Sequence, residues 1–161
     1  SLVGSEMCIR DRNGAAAIGA VSLEPFLGPC RVIHAIDCGP LITPEHLLHA
    51  AANLPPRILV RTAKHAAQEW WTDDFSAYAP QTIEWLAERG VMLIGLDTPS
   101  IDPASSKTLD SHHTILRHDM RVLENLVLDD VPEGDYELIA LPLALVQADA
   151  SPVRAVLREL G

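Results

Sequence analysis

The sequence has few aromatic residues, no regular cysteine pattern and no long apolar run. Aromatic residues make up only 4% of the 161 residues while 48% are hydrophobic, so aliphatic side chains have to build the core of a single domain. The three cysteines, Cys8, Cys30 and Cys38, are odd in number and irregularly spaced, which argues against a disulfide framework and a structural zinc ribbon. We interpret Cys30 and Cys38 as reduced thiols and expect a cytoplasmic protein.

Basic charge is also scarce, because the formal net charge is -10. A nucleic-acid partner needs a basic surface, and so does an anionic membrane surface, so we expect neither. No apolar run approaches the roughly 18 residues that a membrane span requires. A strongly acidic surface favours solubility and tolerates cationic or metal ligands, but it does not indicate a fold.

Residues 1–12 differ in character from the rest of the chain. They read Ser-Leu-Val-Gly-Ser-Glu-Met-Cys-Ile-Arg-Asp-Arg, begin without Met, and lack the charged start and apolar core of a secretory signal. This stretch resembles the conceptual translation of sequencing-adapter DNA. We therefore expect 1–12 to be an artefactual, disordered leader and 13–161 to be the domain. The alternative is a genuine disordered terminus.

The remaining pattern predicts one mixed domain of alternating helices and strands. Thr43 and Pro44 suit the start of a helix, and Gly90 suits the end of another. Apolar runs bounded by Gly and Pro predict buried strands, and residues 153–157 fit either a late strand or a short terminal helix. We predict an α/β or mixed α+β fold. The predicted strands are 30–36, 57–62, 91–96 and 136–141, and the predicted helices are 43–52 and 80–89.

Two tryptophans stand next to each other in the predicted loop 70–75. Trp70, Trp71 and Phe75 could form the wall of a pocket for an aromatic ligand. The simpler alternative, which the residue pattern favours, is a satellite hydrophobic cluster beneath a long loop.

The chemistry is concentrated in the polar loop that follows the predicted strand 91–96. This loop contains Asp97, Asp102, Lys107 and Asp110 and then the pair His112-His113. Ligand groups gather at the carboxyl ends of strands in α/β folds. Adjacent histidines point in different directions on most backbones, so we expect at most one of this pair to bind a metal. The other histidines are scattered, and we interpret them as structural or solvated; His118 in particular is expected on a helix surface.

Glu124 is the acidic residue within the apolar run 122–128. A carboxylate buried without a partner costs several kcal/mol. A divalent metal is one such partner, with histidine as the commonest co-ligand. The alternatives are an ion pair with Arg117 or Arg121, or simple exposure to solvent.

Several motifs resemble the bacterial kynurenine formamidases of the metal-dependent cyclase family. The longest is Asp-Thr-Pro-Ser-x-Asp-Pro-x-x-Ser-Lys-Thr-Leu-Asp-x-His-His at 97–113, and the resemblance runs from about Ile18 to the end of the chain. No single motif is decisive, but their order is specific. The other matching segments are 28–34, 43–47, 86–90, 126–138 and 151–157.

This resemblance implies a swivelling β/β/α domain that hydrolyses N-formyl-L-kynurenine to L-kynurenine and formate in tryptophan degradation. It implies two metal ions, usually zinc, with His112 and Glu124 as ligands, and assembly as a homodimer. The family's His-x-Gly-x-His-x-Asp-x-Pro segment and catalytic histidine should precede Ile18 and do not occur there. The resemblance therefore assigns no catalytic residue and no substrate-contacting residue to this chain.

We accordingly expect a domain incomplete at its amino terminus, and a 161-residue polypeptide that is inactive and holds zinc weakly. Two ligands fall short of the three protein ligands that catalytic zinc normally takes. Two other functions stay open. One is hydrolysis of a different amide, lactone or cyclic substrate by a related cyclase-family enzyme, and the other is a non-catalytic scaffold.

Overall fold

The computed structural model describes residues 6–8, 17–65 and 73–160. Within these ranges a six-stranded sheet forms the centre of the molecule, in the order β10-β8-β2-β4-β6-β7. Two small sheets, β1-β9 and β3-β5, flank it. The strands are β1 Glu6–Cys8, β2 Leu27–His34, β3 Leu41–Ile42, β4 Arg57–Arg61, β5 Ala77–Tyr78, β6 Leu93–Leu96, β7 Arg121–Leu123, β8 Gly134–Ile139, β9 Ala150–Pro152 and β10 Val156–Glu159.

Four neighbouring strands of the central sheet, β2, β4, β6 and β7, run parallel, and β8 and β10 add an antiparallel margin. Residues 58–60 of β4 and 93–96 of β6 are apolar and buried, as expected for strands that are covered on both faces of the sheet. Ile58 and Val60 of β4 point into one core cluster, whereas Leu59 between them points into the other. The predicted mixed α/β class is therefore confirmed.

Two α-helices, α1 Pro80–Ala87 and α2 Asp110–Arg117, pack against each other. Pro80 occupies the first turn of α1, and Gly90 follows the helix with φ of 82°, a left-handed conformation that glycine adopts without steric cost. The predicted helix 80–89 is confirmed, with its end two residues earlier. No helix of the described ranges is long and apolar enough to cross a membrane.

The predicted helix at 43–52 is wrong. The segment instead forms two 3-10 turns, Pro44–His46 and Leu48–Ala50. The amide of Leu47 donates to Pro44 O and the amide of Ala50 to Leu47 O, which are the shorter three-residue bonds of a 3-10 turn. His46 Nδ1 accepts a hydrogen bond from the amide of Thr43 at 3.0 Å. Thr43, the residue predicted to cap a helix, is thus bonded to a side chain of the first 3-10 turn.

The strands predicted at 30–36, 57–62, 91–96 and 136–141 are present as β2, β4, β6 and β8, with boundaries shifted by a few residues. Residues 153–157 fitted either a late strand or a short helix; the structure has strands β9 and β10 in this part of the chain and no helix there. Residues 6–8, within the predicted leader, pair with β9. The rest of the leader lies outside the described residues.

Candidate metal centre and adjoining cleft

Polar residues collect at the edge of the sheet where the four parallel strands end. Thr62 follows β4, Asp97 follows β6 and Glu124 follows β7 directly, while Asp37 lies shortly after β2. Parallel strands bring their carboxyl ends to one edge, which is where α/β folds bind ligands. Asp97, from the loop after β6, and Glu124 therefore lie at the same edge of the sheet, whereas Lys107 and Asp110 of that loop are exposed.

Asp102 organises the amino-terminal end of α2. Its carboxylate accepts the backbone N–H groups of Ser111 at 2.9 Å and His112 at 3.0 Å. The first amides of a helix have no partner within the helix, and a side chain before the helix usually supplies one. Leu109, which precedes α2 with φ of 50°, has no polar side chain, so the distant Asp102 caps the helix instead.

The same carboxylate orients the His112 ring. His112 Nδ1 lies 2.5 Å from Asp102 Oδ2, and His112 Nε2 lies 3.8 Å from Glu124 Oε1. A proton on Nδ1, shared with Asp102, leaves Nε2 with its lone pair directed towards Glu124. Histidines that bind metals commonly donate their second ring nitrogen to a carboxylate in this way.

Glu124 is buried, with 7% of its surface exposed, and Oε1 accepts the Ile101 amide at 2.9 Å. Exposure to solvent, one of the alternatives for it from sequence, is therefore wrong. The two arginines named in the other alternative form ion pairs with other carboxylates, Arg117 with Glu84 and Arg121 with Asp119.

Electrostatics keeps Asp102 ionised. Burial by itself would raise the pKa of Asp102, but the hydrogen bonds from His112 and from the Ser111 and His112 amides hold that pKa below its ordinary value. An ionised Asp102 acts as an acceptor towards the ring of His112, which keeps the proton of a neutral ring on Nδ1.

The chemistry of this donor set fits a divalent metal. Two ligands that bind one zinc ion tetrahedrally at about 2.1 Å stand roughly 3.4 Å apart, which is close to the 3.8 Å between His112 Nε2 and Glu124 Oε1. Imidazole nitrogen and carboxylate oxygen are both ordinary zinc ligands. Among the described residues, however, no three His, Cys, Asp or Glu side chains group closely enough to hold an ion.

The remaining histidines lie outside this centre. His113, next to His112, is exposed on α2, and His118 is exposed after the end of that helix. His34 Nε2 lies 2.9 Å from Val131 O, and His49 Nε2 lies 2.9 Å from Glu133 Oε2. Of the adjacent pair, His112 is the residue that lies beside Glu124.

An open cleft of about 910 Å³ adjoins the centre at the ends of β2, β4 and β6. Asp97 and Thr62 lie on its floor, where Asp97 accepts the amides of Thr62 and Ala63 and the Thr62 hydroxyl, all within 3.0 Å. Burial raises the pKa of Asp97 even though these bonds oppose the shift. Phe75 lines the cleft; Trp70 and Trp71, its predicted companions, lie outside the described residues.

Sequence reasoning placed Asp102 in the polar loop but assigned it no role. Its signal was indirect: a helix that starts after Leu109 has no local cap, so its first amides need a carboxylate from elsewhere. Only the three-dimensional arrangement shows that the same carboxylate reaches the imidazole of His112.

Comparison with known proteins places this geometry in context. Residues 8–103 match the family described as "Putative cyclase". The chain is 87% identical over 149 residues to a kynurenine formamidase of Bordetella petrii, covering 92% of this chain and 71% of that protein. It is 88% identical over 149 residues to a kynurenine formamidase of Bordetella pertussis, with the same coverage.

The fold has a close structural counterpart as well. A solved structure described as a potential metal-dependent hydrolase with cyclase activity superposes with a TM-score of 0.84 and 26% sequence identity. The match covers 96% of this chain and 78% of the other.

Proposed function

The chain belongs to the cyclase family, and from that membership we propose that it carries part of the active site of a metal-dependent formamidase. The proposed reaction is the hydrolysis of N-formyl-L-kynurenine to L-kynurenine and formate, a step of tryptophan degradation. Support comes from relatives named kynurenine formamidase at 87% and 88% identity. The structural counterpart described as a metal-dependent hydrolase supports a divalent metal.

One observation carries the proposal: His112 and Glu124 approach each other at the ligand edge of the sheet, with Asp102 behind the histidine. Glu124 and Asp102 are buried, and buried carboxylates need polar or charged partners. Asp102 pairs with His112, and His112 Nε2 lies 3.8 Å from Glu124 Oε1, a separation that lets the two side chains bind one cation together. We propose zinc, with two ions in the active enzyme.

The residues of this chain bind and orient, whereas the metal supplies the chemistry. A divalent metal held there would supply Lewis-acid chemistry for hydrolysis of the formamide. His112 and Glu124 would hold the ion, and the Asp102 carboxylate fixes the imidazole so that Nε2 needs no reorientation on binding. Preorganised ligands of this kind reduce the reorganisation cost of metal binding.

We further propose that the 161-residue polypeptide by itself binds zinc weakly and shows no formamidase turnover. Its described residues supply two candidate ligands, whereas catalytic zinc normally takes three from protein. Turnover by the purified polypeptide, with near-stoichiometric zinc after dialysis, would contradict this part of the proposal.

A chimera tests the function directly. The part of the Bordetella petrii relative that the alignment leaves uncovered is fused to this chain, and kynurenine formation from N-formyl-L-kynurenine is followed by absorbance. We expect turnover comparable to that of the relative. A chimera that is folded and inactive, beside an active relative, would overturn the proposal. Turnover of only another amide or a lactone would identify a different cyclase-family hydrolase.

We propose cytoplasmic localisation and a homodimeric assembly. Cys30 and Cys38 are free thiols, as a reducing compartment favours. Exposed aliphatic side chains cluster in the segment before β9, including Leu143 at 53% and Val146 at 88% exposure. A second subunit is one way to cover such a surface, and light scattering of the chimera measures the assembly.

A further inference from the structure

We propose that the cleft beside the metal centre binds the amino-acid head of the substrate. Lys64 would face the α-carboxylate, Asp37 the α-ammonium group and Phe75 the aromatic ring. This inference rests on the proposed function, because it assigns one end of N-formyl-L-kynurenine to a subsite and leaves the formamide for the His112–Glu124 centre.

The cleft and the metal centre are parts of one continuous structure. Thr98 lines the cleft, and its carbonyl oxygen accepts the amide of Asn125 at 2.9 Å. Asn125 directly follows Glu124, and Ile101 from the same loop donates its amide to Glu124. Residues 97–101 therefore connect the lining of the cleft to the backbone that holds the Glu124 carboxylate.

The floor of the cleft does not recognise charge, because its polar groups are already paired. Asp97, 5% exposed, accepts its hydrogen bonds from Thr62 and Ala63. The Thr98 hydroxyl donates to Ser76 O at 3.0 Å. A charged ligand group placed on this floor would lose hydration without gaining a strong partner. Charged groups of a ligand would therefore be bound at the rim of the cleft, which Lys64 and Asp37 form.

The rim carries an ion pair of the right composition. Lys64 Nζ lies 3.1 Å from Asp37 Oδ2, and the two side chains are 71% and 72% exposed. A zwitterionic α-amino acid presents one carboxylate and one ammonium group, which can replace each partner of this pair without leaving a charge unpaired. Because both side chains are already hydrated, an exposed pair costs little to open.

An aromatic side chain completes the subsite. Phe75 is half-buried and lines the same cleft as Lys64 and Asp37. A volume of about 910 Å³ falls in the range of small-molecule sites. Aryl groups gain affinity by packing against an aromatic ring, which suits a substrate that combines an aryl ring with an amino-acid head.

Binding of two ligands by the 161-residue chain tests the subsite independently of turnover. L-Kynurenine has the head, and 2'-aminoacetophenone has the aryl ketone without it. Titration calorimetry compares the wild-type chain with the Lys64→Met and Asp37→Asn variants. The control is Lys107→Met, since Lys107 is an exposed lysine that does not line the cleft.

We expect the wild-type chain to bind L-kynurenine more tightly than 2'-aminoacetophenone. Each rim substitution should weaken L-kynurenine binding by up to about fivefold, as for an exposed charge pair, and should leave aminoacetophenone binding unchanged, with Lys107→Met silent. Equal binding of the two ligands, no detectable L-kynurenine binding, or equal effects of Lys64→Met and Lys107→Met would overturn the inference. Turnover by the chimera is scored separately, so an active chimera with an insensitive rim disproves the subsite alone.

Discussion

The Asp102–His112–Glu124 group and the Lys64–Asp37 pair lie at the same edge of the sheet but in opposite environments. Asp102 and Glu124 are buried and held by backbone amides, whereas Lys64 and Asp37 are largely exposed and form a direct ion pair. Buried charges have a large effect when a partner is removed, and exposed pairs have a small one.

This contrast suits a division of labour between a rigid end and an adaptable end. A metal centre needs ligand atoms placed within a few tenths of an ångström, and buried carboxylates with fixed hydrogen bonds provide that placement. Recognition of a flexible amino-acid head needs only charge complementarity at a hydrated rim. We therefore expect substitutions in the first region to change metal binding and turnover strongly, and those in the second to change affinity modestly.

The largest effect is expected for Glu124→Gln and His112→Ala in the chimera. Each removes one candidate ligand atom, so turnover should fall by more than the roughly 100-fold associated with residues that only orient a ligand. Zinc retained after dialysis is measured alongside turnover. His113→Ala, on the exposed side of the same helix, is the matched control and should retain both. If His112→Ala and His113→Ala changed turnover and retained zinc equally, His112 would not be a metal ligand, and the proposed centre would be wrong.

A smaller effect is expected for Asp102→Asn in the chimera. The amide has one acceptor oxygen where the carboxylate has two, so it can accept from Ser111 N or from His112 but not from both, and any oxygen facing His112 Nδ1 is neutral rather than charged. Zinc affinity should fall about 10- to 100-fold while the circular dichroism spectrum stays the same. Asp110→Asn, an exposed acid at the start of the same helix, is the control. An unchanged zinc affinity would show that Asp102 serves only as a helix cap.

Gly95→Ala tests how tightly β6, the strand that ends at the floor of the cleft, is packed against its neighbours. Gly95 lies on β6, just before the Asp97 of the cleft floor, and a Cβ there would come within 2.5 Å of Leu59 Cδ2 and 2.8 Å of Leu126 Cδ1. Overpacking of this kind typically costs about 1–3 kcal/mol. Urea unfolding measures the loss. In a Leu59→Ala background the cost of Gly95→Ala should shrink, because the closest atom is gone; an identical cost in both backgrounds would exclude the steric explanation.

Local signals in the sequence were sufficient for the elements and insufficient for the contacts between them. Pro80 and Gly90 mark the start and end of α1, and the apolar runs of β4 and β6 mark buried parallel strands. Thr43 and Pro44 do mark the start of a turn, but the segment continues as two 3-10 turns with Leu47 fully buried between them, and not as the longer helix predicted.

The candidate site shows the same limit. Composition left Glu124 with three alternatives, and the resemblance to the kynurenine formamidases singled out His112 and Glu124 together. Neither source indicated Asp102 behind the ring or the Lys64–Asp37 pair, because those contacts join positions 10 and 27 residues apart through the fold. Such contacts depend on how the parallel strands pair and on how α2 is oriented against the sheet. The spacing of apolar residues along the sequence determines neither of these.

The smallest effect is expected at Arg31–Asp135, an ion pair outside both regions in which the Asp135 side chain is 49% exposed and the Arg31 side chain 17% exposed. Arg31 Nε donates to Asp135 Oδ1 at 2.6 Å, and this hydrogen bond lowers the pKa of Asp135. A carboxyl group whose pKa is lower in the folded state stabilises the fold above its unfolded pKa of about 3.9, and loses that contribution as the pH falls through its folded pKa.

Asp135→Asn should therefore lower the free energy of unfolding by no more than about 1 kcal/mol at pH 7, and the difference from wild type should shrink as the pH drops below about 4. Urea unfolding across that range measures it, with Asp130→Asn as an exposed control. If the loss of unfolding free energy were several times larger, or did not depend on pH, solvent exposure would not separate weak ion pairs from strong ones in this protein. The expected difference between the exposed Lys64–Asp37 pair and the buried carboxylates of the metal centre would then have no physical basis.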